Sequence, residues 1–164
     1  MLYTSTRWQT DMVCSAHAIT RGLADDGGLF VPQKFATLTL DEIVAMSELP
    51  YAERAAKILS FFLTDYTEEE LLACTSAAYS EERFSGFAAP LKQVKDKIAV
   101  LELWHGPTSA FKDMALQLLP HLLMKAIEKT GEQNDIVILV ATSGDTGKAA
   151  LEGFADVKGT QIII

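Results

Sequence analysis

The sequence predicts an α/β chain: a small amino-terminal α+β domain over residues 1–85, then strands and helices in alternation over 86–164. Three observations predict it. Apolar strands such as Ile136 to Val140 are separated by helical stretches, which favours parallel pairing with both sheet faces covered and right-handed crossovers. Charged helical segments before Ser85 give way to the small residues Ser85-Gly86-Phe87-Ala88-Ala89-Pro90, a boundary signal. The chain has 164 residues, 49% of them hydrophobic, which is material for a core burying about 68–70% of the unfolded surface.

In order, Leu2 to Thr6 reads as a strand and Val13 to Arg21 as a short helix stopped by Gly22. Asp25-Asp26-Gly27-Gly28 is a turn signal, since glycine tolerates positive φ and Asp bonds its own backbone. Leu29 to Val31 then forms a brief strand closed by Pro32. Thr39 with Glu42, and Thr67 with Glu70, have the spacing of reciprocal capping boxes and start two helices. Between them, Tyr51 to Leu63 repeats apolar residues at helical period and packs into a core.

Beyond the boundary, Ile98 to Trp104 is expected as a strand and Phe111 to Lys129 as one long helix, kinked at Pro120 and ended by Gly131. Ile136 to Val140 is a buried strand, Thr142 to Gly147 a loop, and the helix after it runs through Phe154. Gln161 to Ile164 begins another strand.

Composition excludes several function classes. A formal charge of -8 with no basic run opposes nucleic acid as a partner. Cys14 and Cys74 lie far apart without a His or second Cys at metal-ligand spacing, so no metal is expected and a reducing compartment is the simple reading. No basic, apolar leader opens the chain and no apolar run approaches the ~20 residues that span a bilayer. A cytoplasmic protein without a membrane partner is the expectation.

Two segments carry chemistry. Thr142-Ser143-Gly144-Asp145-Thr146-Gly147 follows a strand and opens a helix, where amides, hydroxyls and the helix dipole can receive a carboxylate or phosphate. An ordinary turn capped by Thr146 or Asp145 has the same spacing. The P-loop pattern fails at Thr142 and Ala149, and the dinucleotide fingerprint fails because Thr142 stands at its first glycine. The second segment runs from Leu103 to Asp113 and places Lys112 near a helix start. There the dipole opposes an ammonium charge, which suits Schiff-base chemistry. A solvated lysine paired with Asp113 or a nearby Glu is the bland alternative, as an ordinary hydrogen-bonded loop residue is for His105.

These residues resemble the threonine synthases, a family of fold-type II pyridoxal-phosphate enzymes. Gly22 to Pro32 is similar to the family's amino-terminal signature, His105 to Asp113 to its cofactor-lysine motif, and Ala141 to Gly147 to its second active-site loop. The last two are shared more loosely with cysteine synthase and threonine dehydratase, which stand as alternatives, as does a catalytically silent association fragment. Trp104 stands where Phe is common and Ser109 where a larger aliphatic residue is common.

The resemblance implies a three-layer αβα cofactor domain begun by residues 86–164. It implies that Lys112 binds pyridoxal 5'-phosphate through its amine and then moves protons at the substrate's α and β carbons. O-phospho-L-homoserine and water would yield L-threonine and phosphate. Asp145, Phe111 and His105 would lie beside the cofactor. Thr142, Ser143, Gly144 and Thr146 would receive the substrate carboxylate, with Thr108 and Ser109 nearby. Threonine synthases are several hundred residues long, and contacts to the cofactor's phosphate and ring nitrogen come from later segments. The expectation is therefore an amino-terminal portion, inactive alone, with exposed sheet edges that favour self-association.

Overall fold

In a computed structural model, residues 1–142 and 144–164 are described. They form two compact units: Met1–Thr75 with Leu122–Gln133, and Ser76–His121 with Asn134–Ile164.

In the first unit, β1 (Tyr3–Ser5) pairs antiparallel with β2 (Phe30–Pro32), in the register Tyr3↔Pro32 to Ser5↔Phe30. Pro32 lies within the strand rather than after it, which a two-stranded sheet allows because a proline there sits on an edge. The turn between the strands is organised by Asp26. Its carboxylate accepts from Ser5 Oγ at 2.6 Å, Gly28 N at 2.9 Å and Gln9 N at 3.1 Å. These bonds, the Ser5 hydroxyl first, hold the Asp26 carboxyl below its ordinary 3.8.

Helix α1 (Ser15–Arg21) starts two residues later than the sequence suggests, because Val13 bridges Tyr3. Its cap residue Cys14 makes no side-chain cap; Asp65, fifty residues on, accepts from Ser15 Oγ and from Ala16 N at 2.8 Å. Cys14 Sγ instead lies 3.2 Å from His17 Nδ1, so one cysteine does have a histidine beside it, contrary to expectation. No group of three metal-ligating side chains occurs among the described residues.

The Thr39 box forms in full at the start of α2 (Leu40–Ser47). Helix α3 (Tyr51–Ser60) ends a turn before Leu63. Thr67 and Glu70 exchange bonds of 2.9 and 3.2 Å at the start of α4 (Glu68–Ala78). Leu63, Tyr66, Leu71 and Cys74 form the core with Leu122, Leu123 and Ala126. Tyr66 donates to the Leu122 carbonyl, and burial pushes its hydroxyl well above the ordinary tyrosine range.

In the second unit, β3 (Leu91–Lys95) and β4 (Ile98–Leu101) form an antiparallel hairpin closed by Asp96-Lys97. The expected parallel pairing does not hold for Ile98 to Leu101. A tight turn can join only antiparallel strands, and Leu91–Lys95 supplies the partner. Parallel pairing does hold for β5 (Ile136–Leu139) and β6 (Thr160–Ile163), in the register Ile136↔Thr160 to Leu139↔Ile163. Helix α7 (Asp145–Phe154) is their crossover, and Gly147, Ala149, Ala150 and Phe154 are its buried residues.

The expected long helix is two: α5 (Asp113–Leu116) and α6 (Leu119–Thr130). Pro120 is the second residue of α6, where its missing amide would have had no helical acceptor, so it starts a helix instead of kinking one. No helix among the described residues is long and apolar enough to cross a membrane.

Candidate functional site

The loop from His105 to Lys112 is shaped by one buried carboxylate. Asp113, fully buried, accepts from Thr108 N at 2.8 Å and from Thr108 Oγ1 at 2.6 Å. Gly106 packs directly on it: a Cβ there would lie 2.6 Å from Asp113 Cβ and from Oδ2. Only glycine leaves room for the carboxylate to reach Thr108. Ser109 completes the turn in the left-handed region at φ 59°.

This arrangement removes the bland reading of Lys112 as the ion-pair partner of Asp113, whose oxygens face Thr108. No ion pair to Lys112 occurs among the described residues. Its ammonium stands 4.3 Å from the centroid of the Phe111 ring, within cation–π range. Lys112 caps a helix of four residues, far shorter than the one expected there.

Lys112 opens into a cleft of about 390 Å³ lined by Phe111, Lys112, Met114, Ala115, Leu116 and Thr146. The cleft therefore brings together the lysine and one residue of the second loop. Its walls are mainly apolar, with one amine and one hydroxyl for polar recognition.

The second loop leaves β5 at Val140 and enters α7 through Gly144, whose φ of 147° lies where side chains are strained. Gly144 is the cap residue and has no side chain to cap with, and among the described residues neither Asp145 nor Thr146 caps the helix. First-turn amides without a side-chain cap are suited to an anionic ligand. Gly147 packs closely, since a Cβ would stand 2.8 Å from Thr142 Cγ2 and displace it. Asp145 is the exposed first residue of α7. Ser143 lies outside the described residues.

His105 is half-buried, with Nε2 2.8 Å from Glu102 Oε2 and its ring stacked on Trp104 at 5.7 Å. Thr108 is 8% exposed and its polar atoms are engaged within the protein: besides Asp113, Lys148 Nζ donates to its carbonyl at 3.3 Å. Sequence reasoning missed Glu102, Asp113 as an acceptor, and Lys148. The Glu-x-x-His spacing was a usable signal for Glu102; the other two depend on tertiary approach.

The fold defines the class. The structure matches a pyridoxal-phosphate-bound threonine synthase from Brucella melitensis at a TM-score of 0.87 and 38% identity, over 99% of this chain and 34% of that one. It matches the Escherichia coli threonine synthase at 0.86 and 33% identity, over 99% and 36%. This is the mixed α/β architecture of the amino-terminal region of pyridoxal-phosphate threonine synthases.

Residues 2–79 match the family model described as threonine synthase N terminus. The Pseudomonas aeruginosa threonine synthase is 43% identical over 157 residues, 93% of this chain and 32% of that protein. The chain belongs to the threonine synthase family and corresponds to the amino-terminal region of its members. It spans about a third of the length of these relatives.

Proposed function

We propose that this chain supplies the lysine half of a threonine synthase active site, with Lys112 as the residue that holds pyridoxal 5'-phosphate. The observation that carries this reading is the seating of Lys112 in an apolar cleft shared with Thr146. The residues present suit the cofactor: an amine for its aldehyde, and Phe111, Met114 and Leu116 as apolar walls beside a flat ring.

When bound, the cofactor supplies an electron sink for carbanion chemistry. The chain supplies the rest. The Lys112 amine would hold the cofactor by its aldehyde and would move protons at the α and β carbons of O-phospho-L-homoserine. Loss of the γ-phosphate and addition of water at the β carbon give threonine and phosphate. Thr142, Ser143, Gly144 and Thr146 receive the substrate carboxylate at the start of α7, whose cap residue Gly144 offers no side chain to the amides. His105, held by Glu102, and Asp145 flank the cofactor, with Ser109 beside the substrate.

In this reading residues 1–85 are the family's leading domain and 86–164 begin the cofactor domain of a cytoplasmic enzyme. The 164-residue chain alone does not turn over substrate, and copies associate through the open edges of its two-stranded sheets.

The test is to mix the chain with pyridoxal phosphate, reduce with borohydride and locate the adduct by mass spectrometry. Labelling at Lys112, lost in Lys112→Ala, is expected. Exclusive labelling of another lysine would overturn the assignment. Phosphate release from O-phosphohomoserine by this chain would overturn the reading that it is inactive alone.

A further inference from the structure

Thr108 stands in the lysine loop where a substrate contact would be expected, yet its backbone and side chain are committed elsewhere. Its amide and hydroxyl both donate to the buried Asp113, and its carbonyl accepts from Lys148. Asp113 follows Lys112 directly in the chain, and Lys148 lies in the first half of α7, four residues past Gly144. A polar path thus runs from the helix behind the 142–147 loop, through Thr108, to the residue next to the lysine. We propose that Thr108 is a positioning residue, gripped by Asp113 and Lys148, that sets Lys112 against the 142–147 loop and does not itself touch substrate.

Chemistry and packing agree with this. Two bonds from one residue to one carboxylate fix both the turn and the hydroxyl rotamer, and at full burial they have no competition from water. Gly106 admits the carboxylate at a distance no other residue would permit. The Lys148 bond is longer and only part-buried, so it adjusts the loop spacing rather than creating it. Removing the Thr108 hydroxyl leaves one carboxylate oxygen without its donor and frees the loop locally.

This inference rests on the reading of Lys112 as the functional lysine, but its test needs no cofactor. Competitive trace acetylation with acetic anhydride, read by mass spectrometry, gives the reactivity of each lysine against the exposed Lys158 as internal reference. In Thr108→Val the reactivity of Lys112 is expected to rise about fivefold as the loop opens, in proportion to one lost hydrogen bond. Thr108→Ser keeps the hydroxyl and is expected to match the native chain. Lys148→Met, a surface change that does not endanger folding, is expected to raise Lys112 reactivity about twofold.

Unchanged Lys112 reactivity in Lys148→Met and in folded Thr108→Val would overturn the proposal, as would a Ser variant as altered as the Val one. If Thr108→Val does not fold, the Ser and Met variants decide it alone. Absence of pyridoxal-phosphate labelling at native Lys112 would sink the function proposed above and leave this comparison standing.

Discussion

Gly153 in α7 lies against the backbone carbonyl of Leu116 at the end of α5, so closely that a Cβ would overlap the oxygen and stand 3.0 Å from the carbon. Glycine is unfavourable inside a helix by about 1 kcal/mol against Ala, so its presence here reflects that approach. Gly153→Ala removes the helix penalty yet forces the two elements apart. The expected net effect is a destabilisation of about 1–3 kcal/mol, read as a lower urea midpoint by circular dichroism.

His121 yields a pH dependence. Burial, with the nearby Arg83 charge, holds its pKa below the ordinary 6.5. The unfolded chain therefore binds the proton more readily than the folded one. His121 destabilises nothing above its unfolded value, and stability falls as pH drops below about 6.5, levelling off beneath the folded value. Thermal midpoints measured from pH 7.5 to 5 are expected to fall less steeply in His121→Gln than in the native chain.

The two cysteines are expected to separate in a thiol titration. Cys74 is buried, and burial pushes its thiol above the ordinary range, whereas Cys14 is partly accessible. Ellman's reagent should consume one thiol quickly and the other only on unfolding. Loss of the fast phase in Cys14→Ser checks the assignment. A fast phase that survives that change would contradict the burial of Cys74.

Asp65 substitutes for a local cap on α1 through Ser15 and Ala16. Asp65→Ala leaves those donors unsatisfied and is expected to cost about 1–2 kcal/mol in chemical denaturation. Asp65→Asn, which keeps an acceptor, should recover part of that.

These cases show what was legible in the sequence. The Thr39 and Thr67 boxes were readable because capping is written in residues three apart. The β5–β6 pairing was readable because the strands of a parallel α/β unit are apolar throughout, although Val137 and Leu139 are exposed here rather than buried as expected. Lys112 and the 142–147 loop were singled out by their places at helix starts and then by motif resemblance, and Thr146 and Lys112 line one cleft. The break between α5 and α6 was not readable, since Phe111 to Lys129 keeps a helical period across it and Pro120 fits either a kink or a first turn. Nor was the cap supplied by Asp65, fifty residues from its helix, or the engagement of Thr108 by Asp113, which depends on the space beside Gly106.

The β3–β4 hairpin bears Lys92, Lys95 and Lys97 against Asp96 alone, on a chain whose formal charge is -8. Every residue of both strands is exposed, including Leu91, Val94 and Ile98. The molecule therefore carries an electric asymmetry, with a cationic, partly apolar ribbon on an otherwise anionic body. Two copies meeting ribbon to ribbon repel at low ionic strength, whereas added salt screens the lysines and leaves the apolar side chains to attract. Ionic strength thus selects which end of the asymmetry governs encounters: charge attraction between ribbon and body in dilute buffer, apolar contact between ribbons in concentrated salt.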